Sequence, residues 1–335
     1  MTTMAAWVVN GTGAPRDVLE LREVALPEPG PGFLRMEVEA AALGLPDVLM
    51  CRGTYPLTPQ GTFTPGQEIV GRVTAVGEGV DPALVGTRRM GVTAFYLGHG
   101  GFAREALAAD ATMFPVPEWM KAADAAAVHI PFQTGWIALR DRADLQSGET
   151  LVVLGAAGGS GAAAVQLGKL LGARTIAVAG GEEKGAYCRE IGADTVVDHS
   201  SEDVVEAIRE ATEGRGADVI FDPVGGALAE RLGAAMSNEG RFLLVGFASG
   251  RWPQFDPAHL VQGNFSVMGV YAGAYGPEHS AAAYAEMLPR MESGGLASLV
   301  TREFAFEELP DAMHGLETRK AIGKWVLRGA RGDKP

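Results

Sequence analysis

Residues 151–161, LVVLGAAGGSG, limit what this chain can fold into more than any other stretch. Four apolar residues make a short buried strand, and the Gly/Ala run passes straight into AAAVQLGKLLG. There Ala162, Val165, Gln166, Leu167 and Leu170 recur at helical spacing, and Gly172 stops the helix. Strand, glycine turn and helix in that order open a dinucleotide-binding βαβ unit. The glycines permit a tight turn and a close backbone approach to a pyrophosphate, and the helix N-terminus offers unpaired N–H groups to the phosphates. After Gly155, the G-x-G-x-x-G pattern reads Ala156-Ala157-Gly158-Gly159-Ser160-Gly161, with alanine at the first glycine. A Gly-rich turn also serves helix packing alone; the strand–helix alternation that follows favours the nucleotide reading.

That alternation needs room, and 335 residues suggest about two domains. Apolar residues make up 47% of the chain, enough for a large core, while a net charge of −13 excludes a phosphate-tracking nucleic-acid surface. Cys51 and Cys188 lie far apart, which excludes a disulfide framework and a thiolate zinc site. No basic, apolar leader opens the sequence and no run reaches the roughly 18 apolar residues of a membrane span. The expectation is a cytoplasmic protein with no membrane partner.

Residues 1 to about 110 read as β-rich, with strand candidates at 5–9, 19–24, 34–41 and 69–76 separated by Gly/Pro turns. Their density suggests a small barrel. From Lys121 an Ala-rich helical stretch follows, interrupted at Pro131. Six strand candidates then alternate with helices, at 151–155, 174–179, 195–198, 218–222, 241–246 and 266–271. This rhythm predicts an α/β fold with a doubly wound parallel sheet. Residues 280–291 and 306–316 read as helical, 299–304 as extended and 324–327 as a closing strand. One barrel-like domain built from both chain ends, with the nucleotide domain inserted, is the simplest arrangement.

Several segments carry a family likeness: Ala42-Leu43-Gly44-Leu45-Pro46-Asp47-Val48, Arg52-Gly53-Thr54-Tyr55-Pro56, Pro65-Gly66-Gln67-Glu68-Ile69-Val70-Gly71, Gly100-Gly101-Phe102-Ala103-Arg104, the turn at 155–161, and Gly323-Lys324-Trp325-Val326-Leu327. In this order and spacing, the chain resembles the medium-chain dehydrogenase/reductase superfamily, and within it the zinc-free quinone oxidoreductase branch. The resemblance implies a Rossmann domain inserted into a GroES-like β-barrel catalytic domain, divided as 1–123, 124–272 and 273–335, with the active site in the cleft between the two domains. Zinc members of the superfamily have His where Gln67 stands and Cys before Asp47, where this chain has Gly44-Leu45-Pro46. His99, His129, His199, His259, His279 and His314 are scattered, none in a ligand pair, so no metal is expected.

The turn, Gly155, Ala156, Ala157, Gly158, Gly159, Ser160 and Gly161, should hold the pyrophosphate. Ser160 either caps the helix or bonds a phosphate oxygen. The second strand ends Ala179-Gly180-Gly181 with no acid at its tip, unlike the usual NAD site, and Lys184 adds charge for a 2′-phosphate. Glu182 and Glu183 read as ordinary first-turn acids of the next helix. NADPH is therefore the expected cofactor, with Lys184 as a solvated helix lysine the alternative. The resemblance implies roles for His199 near the adenosine phosphate and for Thr134 beside the nicotinamide ribose. The alternatives are an exposed loop histidine and a helix-capping threonine. Val224 closes the fourth strand, and Gly246, Phe247, Ala248, Val270 and Tyr271 follow the fifth and sixth, where backbone groups would hold the carboxamide. Lys324, in the family's closing Gly-Lys motif, either reaches the cofactor or is an edge-strand lysine.

With neither metal nor triad, the cofactor carries the hydride step, and quinones or α,β-unsaturated carbonyls are acceptors that need no Lewis acid. Tyr55 is the candidate catalytic hydroxyl, with a ring that merely lines the site as the alternative. Asp47 reads as structural. Gly44 departs from the family's Asn, and Cys51 has no feature that would activate it. Phe95, Tyr96, Trp252, Tyr271 and Tyr275 are candidate pocket walls, although most such residues are core. The expected function is an NADPH-dependent quinone or enone reductase of the NADPH:quinone oxidoreductase type. The alternatives are a 2-enal or enoyl-thioester reductase, for which Arg88-Arg89 is the one small basic candidate, and an NADPH-binding protein with little turnover. The apolar sixth strand ends the sheet and suggests a homodimer.

Overall fold

A computed structural model describes residues 2–330. They form two compact units. The first runs to Ile130 and resumes at Ser298; the second spans Pro131–Ala297.

The first unit opens with β1 (Thr3–Val9), β2 (Leu19–Ala25), β3 (Phe33–Ala42), β4 (Glu68–Val76), β5 (Arg88–Val92), β6 (Glu105–Ala109) and β7 (Met113–Pro115). β1 and β2 form an antiparallel pair. β3 organises the rest: Leu34, Met36, Val38 and Ala40 are buried while Arg35, Glu37 and Glu39 alternate with them, the period of a half-buried strand.

The second unit contains β8 (Thr150–Leu154), β9 (Arg174–Ala179), β10 (Thr195–Asp198), β11 (Ala217–Asp222), β12 (Met236–Leu244) and β13 (Ser266–Gly269). They pair in parallel in the order β10-β9-β8-β11-β12-β13, the doubly wound arrangement expected. All five residues of β8 are buried, as a central parallel strand covered on both faces requires. Leu151, Val152, Val153 and Leu154 have no exposed surface, and each contributes roughly 1.5–3 kcal/mol through burial.

The chain then returns to the first unit as β14 (Val300–Phe304) and β15 (Lys324–Arg328). These complete a seven-stranded sheet in the order β14-β15-β3-β4-β5-β7, with β6 also paired to β3. Trp7 Nε1 donates to the carbonyl of Phe306 at 2.8 Å, tying the start of the chain to its return. Among the described residues no helix is long and apolar enough to cross a membrane.

The helical stretch after Lys121 breaks at Ala127-Val128, not at Pro131, which is the third residue of the helix His129–Trp136. A first-turn N–H has no helical partner, so proline costs nothing there. A π-helical turn, Ile137–Arg142, continues it. β12 starts earlier than expected, and β13 ends at Gly269, before Tyr271. The units divide after residues 130 and 297, later than 123 and 272. The reason is in residues 273–297. Gln133 Nε2 donates to the carbonyl of Ser280 at 3.0 Å; Gln166 accepts from the N–H of Ala297 at 2.6 Å and donates to its carbonyl at 3.3 Å. Replacing buried Gln166 with alanine should strand both main-chain groups of Ala297 and cost about 1–3 kcal/mol. Hydrogen exchange should then speed up at 293–298 and leave β3 protected; equal loosening of β3 would contradict the assignment.

Candidate functional site

At the carboxyl end of β8 the chain turns at Gly155, with φ of 56°, and enters the helix Gly159–Leu170 with Gly158 as its N-cap. The Gly158 N–H donates to the Gly155 carbonyl at 2.9 Å, closing the turn. A Cβ on Gly161 would lie 2.3 Å from the Gly155 oxygen and 2.8 Å from Ala156 Cα, so only glycine lets the helix approach this strand. Alanine is tolerated at the first glycine position because Ala156 does not take a positive φ; its N–H donates to the Val178 carbonyl at 3.1 Å. Ser160 is inside the first turn and no side chain caps this helix, which removes the capping alternative. The turn therefore has the form of an anion cradle: a glycine backbone beneath the uncapped end of a twelve-residue helix.

Parallel pairing brings the other strand ends to the same edge of the sheet. After β9, Gly181 has φ of 82° and begins the helix Glu182–Glu190, which contains Lys184. A Cβ on Gly180 would meet His199 Nε2 at 2.8 Å, so the imidazole occupies the place of a side chain there. The acid absent from the tip of β9 comes instead from β10. Asp198 Oδ1 accepts from Gly181 N–H at 3.1 Å, Ser200 N–H at 2.9 Å and Ser200 Oγ at 2.5 Å. These bonds, that from the Ser200 hydroxyl foremost, pull its pKa down to about 2. The sequence reading missed Asp198; strand register was the signal, because it sets this residue opposite Ala179.

After β11, Asp222 Oδ1 accepts from the N–H groups of Val224 and Gly225, both at 2.8 Å. Its other oxygen is buried without a hydrogen-bond partner, and burial raises the carboxyl pKa to about 6. A Cβ on Gly155 would meet Val224 Cγ2 at 3.0 Å, which places Val224 against the glycine turn. The N–H groups of Gly246, Ala248 and Val270 donate to the carbonyls of Asp222, Pro223 and Leu244. These three N–H groups bond within the protein. Phe247 packs against Trp252 with ring centroids 4.8 Å apart, and Tyr271 is 65% exposed. Thr134 is the sixth residue of its helix and half-buried, so it is no cap.

The remaining candidates belong to the first unit. Tyr55 is half-buried, its ring 6.2 Å from that of Phe95, and with Asn10, Thr12, Thr58 and Gln60 it lines a cavity of ≈ 590 Å³. Phe95 itself is core, and burial pushes the Cys51 thiol up to about 12, leaving it inert. Asp47 is buried and accepts from Gly44 N–H at 2.9 Å and Gly66 N–H at 3.0 Å, pinning two glycine turns. Burial raises its pKa to about 6 against the pull of those bonds and of Lys324.

Lys324 is no edge-strand lysine, since β15 lies between β14 and β3. Its ammonium is buried 3.0 Å from Glu68 Oε2, and Glu68 Oε1 accepts from Ile130 N–H at 2.8 Å. Gln67 fills the expected histidine position, with Nε2 3.7 Å from Met50 Sδ. Among the described residues no group of three or more His, Cys, Asp or Glu is placed to hold a metal.

Burial holds the Glu68 carboxyl above its ordinary range, opposed by Lys324. Removing the ammonium raises it further, and a carboxylate with a raised folded pKa destabilises the fold as pH climbs through that value. Lys324→Met should therefore cost about 3–5 kcal/mol at pH 8 and much less near pH 5, with Glu68→Gln added to it restoring most of the loss. Denaturation at both pH values checks this; a pH-independent loss would count against a buried charge.

Two family models match the chain: "Alcohol dehydrogenase GroES-like domain" over residues 30–118 and "Zinc-binding dehydrogenase" over residues 159–293. A Nematostella vectensis protein, quinone oxidoreductase-like protein 2 homolog, is 32% identical across 89% of this chain and 82% of its own. The Sus scrofa quinone oxidoreductase is 30% identical across 97% of each chain. A mycobacterial structure solved with NADPH superposes with a TM-score of 0.88 at 28% identity, over 97% of this chain and 99% of that one. With both domains matched in order and near-complete coverage, the chain belongs to the medium-chain dehydrogenase/reductase superfamily, in its quinone oxidoreductase-like branch.

Proposed function

We propose that the protein is an NADPH-dependent reductase that delivers hydride to a quinone or another α,β-unsaturated carbonyl, and that it works as a homodimer. The observation that carries the reading is the turn Gly155–Gly161, a glycine backbone that leads into the helix Gly159–Leu170 with no side chain capping the helix N-terminus. When bound, the nicotinamide supplies the hydride. The backbone of Gly158, Gly159, Ser160 and Gly161 would hold the pyrophosphate, and Gly180, Gly181 and Lys184 would lie at the adenosine ribose. The mycobacterial relative solved with NADPH supports this choice of dinucleotide. Phe247, Ala248 and Tyr271, at the ends of the later strands, would flank the nicotinamide, and Thr134 its ribose.

The Tyr55 hydroxyl is the residue we assign to polarising the acceptor oxygen and giving it a proton. Arg88 weighs against a coenzyme A thioester: its guanidinium is bonded to Glu39 at 2.6 Å and to the Met120 carbonyl at 2.8 Å, and Arg89 bonds the Met113 carbonyl at 3.1 Å. Neither is set out for a phosphate. The homodimer reading rests on β13, which ends the six-stranded sheet with one side unpaired.

Oxidation of NADPH should be rapid with ortho- or para-quinones and slow with enoyl thioesters; tight binding without turnover on any acceptor would make the chain a binding protein. Tyr55→Phe should lower kcat about 100-fold with little change in dinucleotide Kd, the size of a lost general acid. A kcat within threefold of the parent would reduce Tyr55 to a wall of the site. Gly161→Ala should weaken dinucleotide binding at least about tenfold in a fluorescence titration while the first unit keeps its stability.

A further inference from the structure

We infer that Asp198 is a specificity-determining residue at the adenosine ribose, set against Lys184, and that it limits how strongly the protein prefers the 2′-phosphorylated dinucleotide. The inference rests on the dinucleotide reading of the glycine turn and deepens it.

In a nucleotide-binding βαβ unit the ribose lies at the tip of the second strand, where an acid binds the 2′-hydroxyl and repels a 2′-phosphate. Here that tip is Gly180-Gly181, which alone would favour the phosphate. The structure adds a carboxylate to the same loop from the neighbouring strand. Asp198 pairs with Ala179 in the parallel register, and its Oδ1 holds the Gly181 N–H at 3.1 Å. The next residue, His199, donates its N–H to the Ala179 carbonyl at 3.1 Å and covers Gly180 with its ring. The tip of β9 is thus enclosed by β10 on the side where an acid of its own would have projected. Hydrogen bonds from Ser200 and Gly181 keep Asp198 ionised at neutral pH. Glu202 lies close by, accepting from the Asp198 N–H at 2.7 Å. Lys184 is the third residue of the helix that follows Gly181, so the loop and its helix turn carry charges of both signs.

The side-chain geometry also supplies a mild test. The bonds from Gly181 and Ser200 all end on Oδ1, so asparagine can keep them while losing the charge. Kd values for NADPH and NADH would be measured by fluorescence titration of the whole chain, and for 2′,5′-ADP and 5′-AMP by competition, because the last two differ only in the 2′-phosphate. Asp198→Asn should raise the ratio of the NADH to the NADPH Kd about three- to tenfold, the effect of one exposed charge facing a phosphate. Lys184→Ala should lower it. The parent ratio should approach that of Asp198→Asn as salt rises, because screening weakens an exposed charge. A ratio unchanged within twofold in Asp198→Asn, with both dinucleotides still bound, overturns the role of Asp198 and leaves the dinucleotide reading intact. Failure of the parent chain to bind either dinucleotide overturns both.

Discussion

The contact on which the second unit depends is the one between the Gly155 carbonyl and the first turn of the helix Gly159–Leu170. A methyl group at Gly161 would lie 2.3 Å from that oxygen, so the helix can cross β8 only because nothing is there. β8 is central in its sheet and wholly buried, so an error in this crossing would spread to β9 and β11 on either side. A second glycine, Gly158, is the N-cap and leaves the helix N-terminus without a capping side chain at the carboxyl edge, where ligands of parallel sheets bind. Close packing and an open helix end are therefore met by two glycines of one turn.

The first unit is held differently. Its sheet is joined through a buried set of charges, with Asp47 fastening the turns at Gly44 and Gly66, and Glu68 set between the Lys324 ammonium and the Ile130 N–H. A buried ion pair contributes little net stability, because desolvation cancels most of the attraction, but losing one partner is expensive. What such a pair enforces is register: Lys324 can meet Glu68 only when β15 lies correctly along β3. Separated by 256 residues in the chain, the two act as a check that both ends have met.

Much of this was legible in the sequence where a local rule sufficed. β9 falls where expected because its β-branched residues lie between Gly172 and Gly180-Gly181, and the helices before β9 and β10 stop at Gly172 and Gly192, which both take positive φ. The order of the six parallel strands followed from their alternation with helices. Through-space relations were not legible. Asp198 reads as an ordinary strand end until the register sets it against Ala179, and Glu68 reads only as the neighbour of Gln67 until Lys324 arrives from the far end. Pro131 misled because a proline stops a helix from within but is harmless in its first turn. The bonds from the N–H groups of Gly246, Ala248 and Val270 to the carbonyls of Asp222, Pro223 and Leu244 are likewise through-space relations.

Placing β15 between β14 and β3 has a consequence for how the protein is made. The second unit is one continuous stretch, Pro131–Ala297, and all six of its strands are translated before β14 and β15. The first unit begins earlier but is completed later, because β3 pairs with β15, which is translated after the second unit. Until then the Ala40–Ala42 part of β3 lacks its β15 partner and the Glu68 carboxylate has no Lys324 ammonium beside it. The ionic clasp at Lys324 can therefore close only after the whole second unit has been translated.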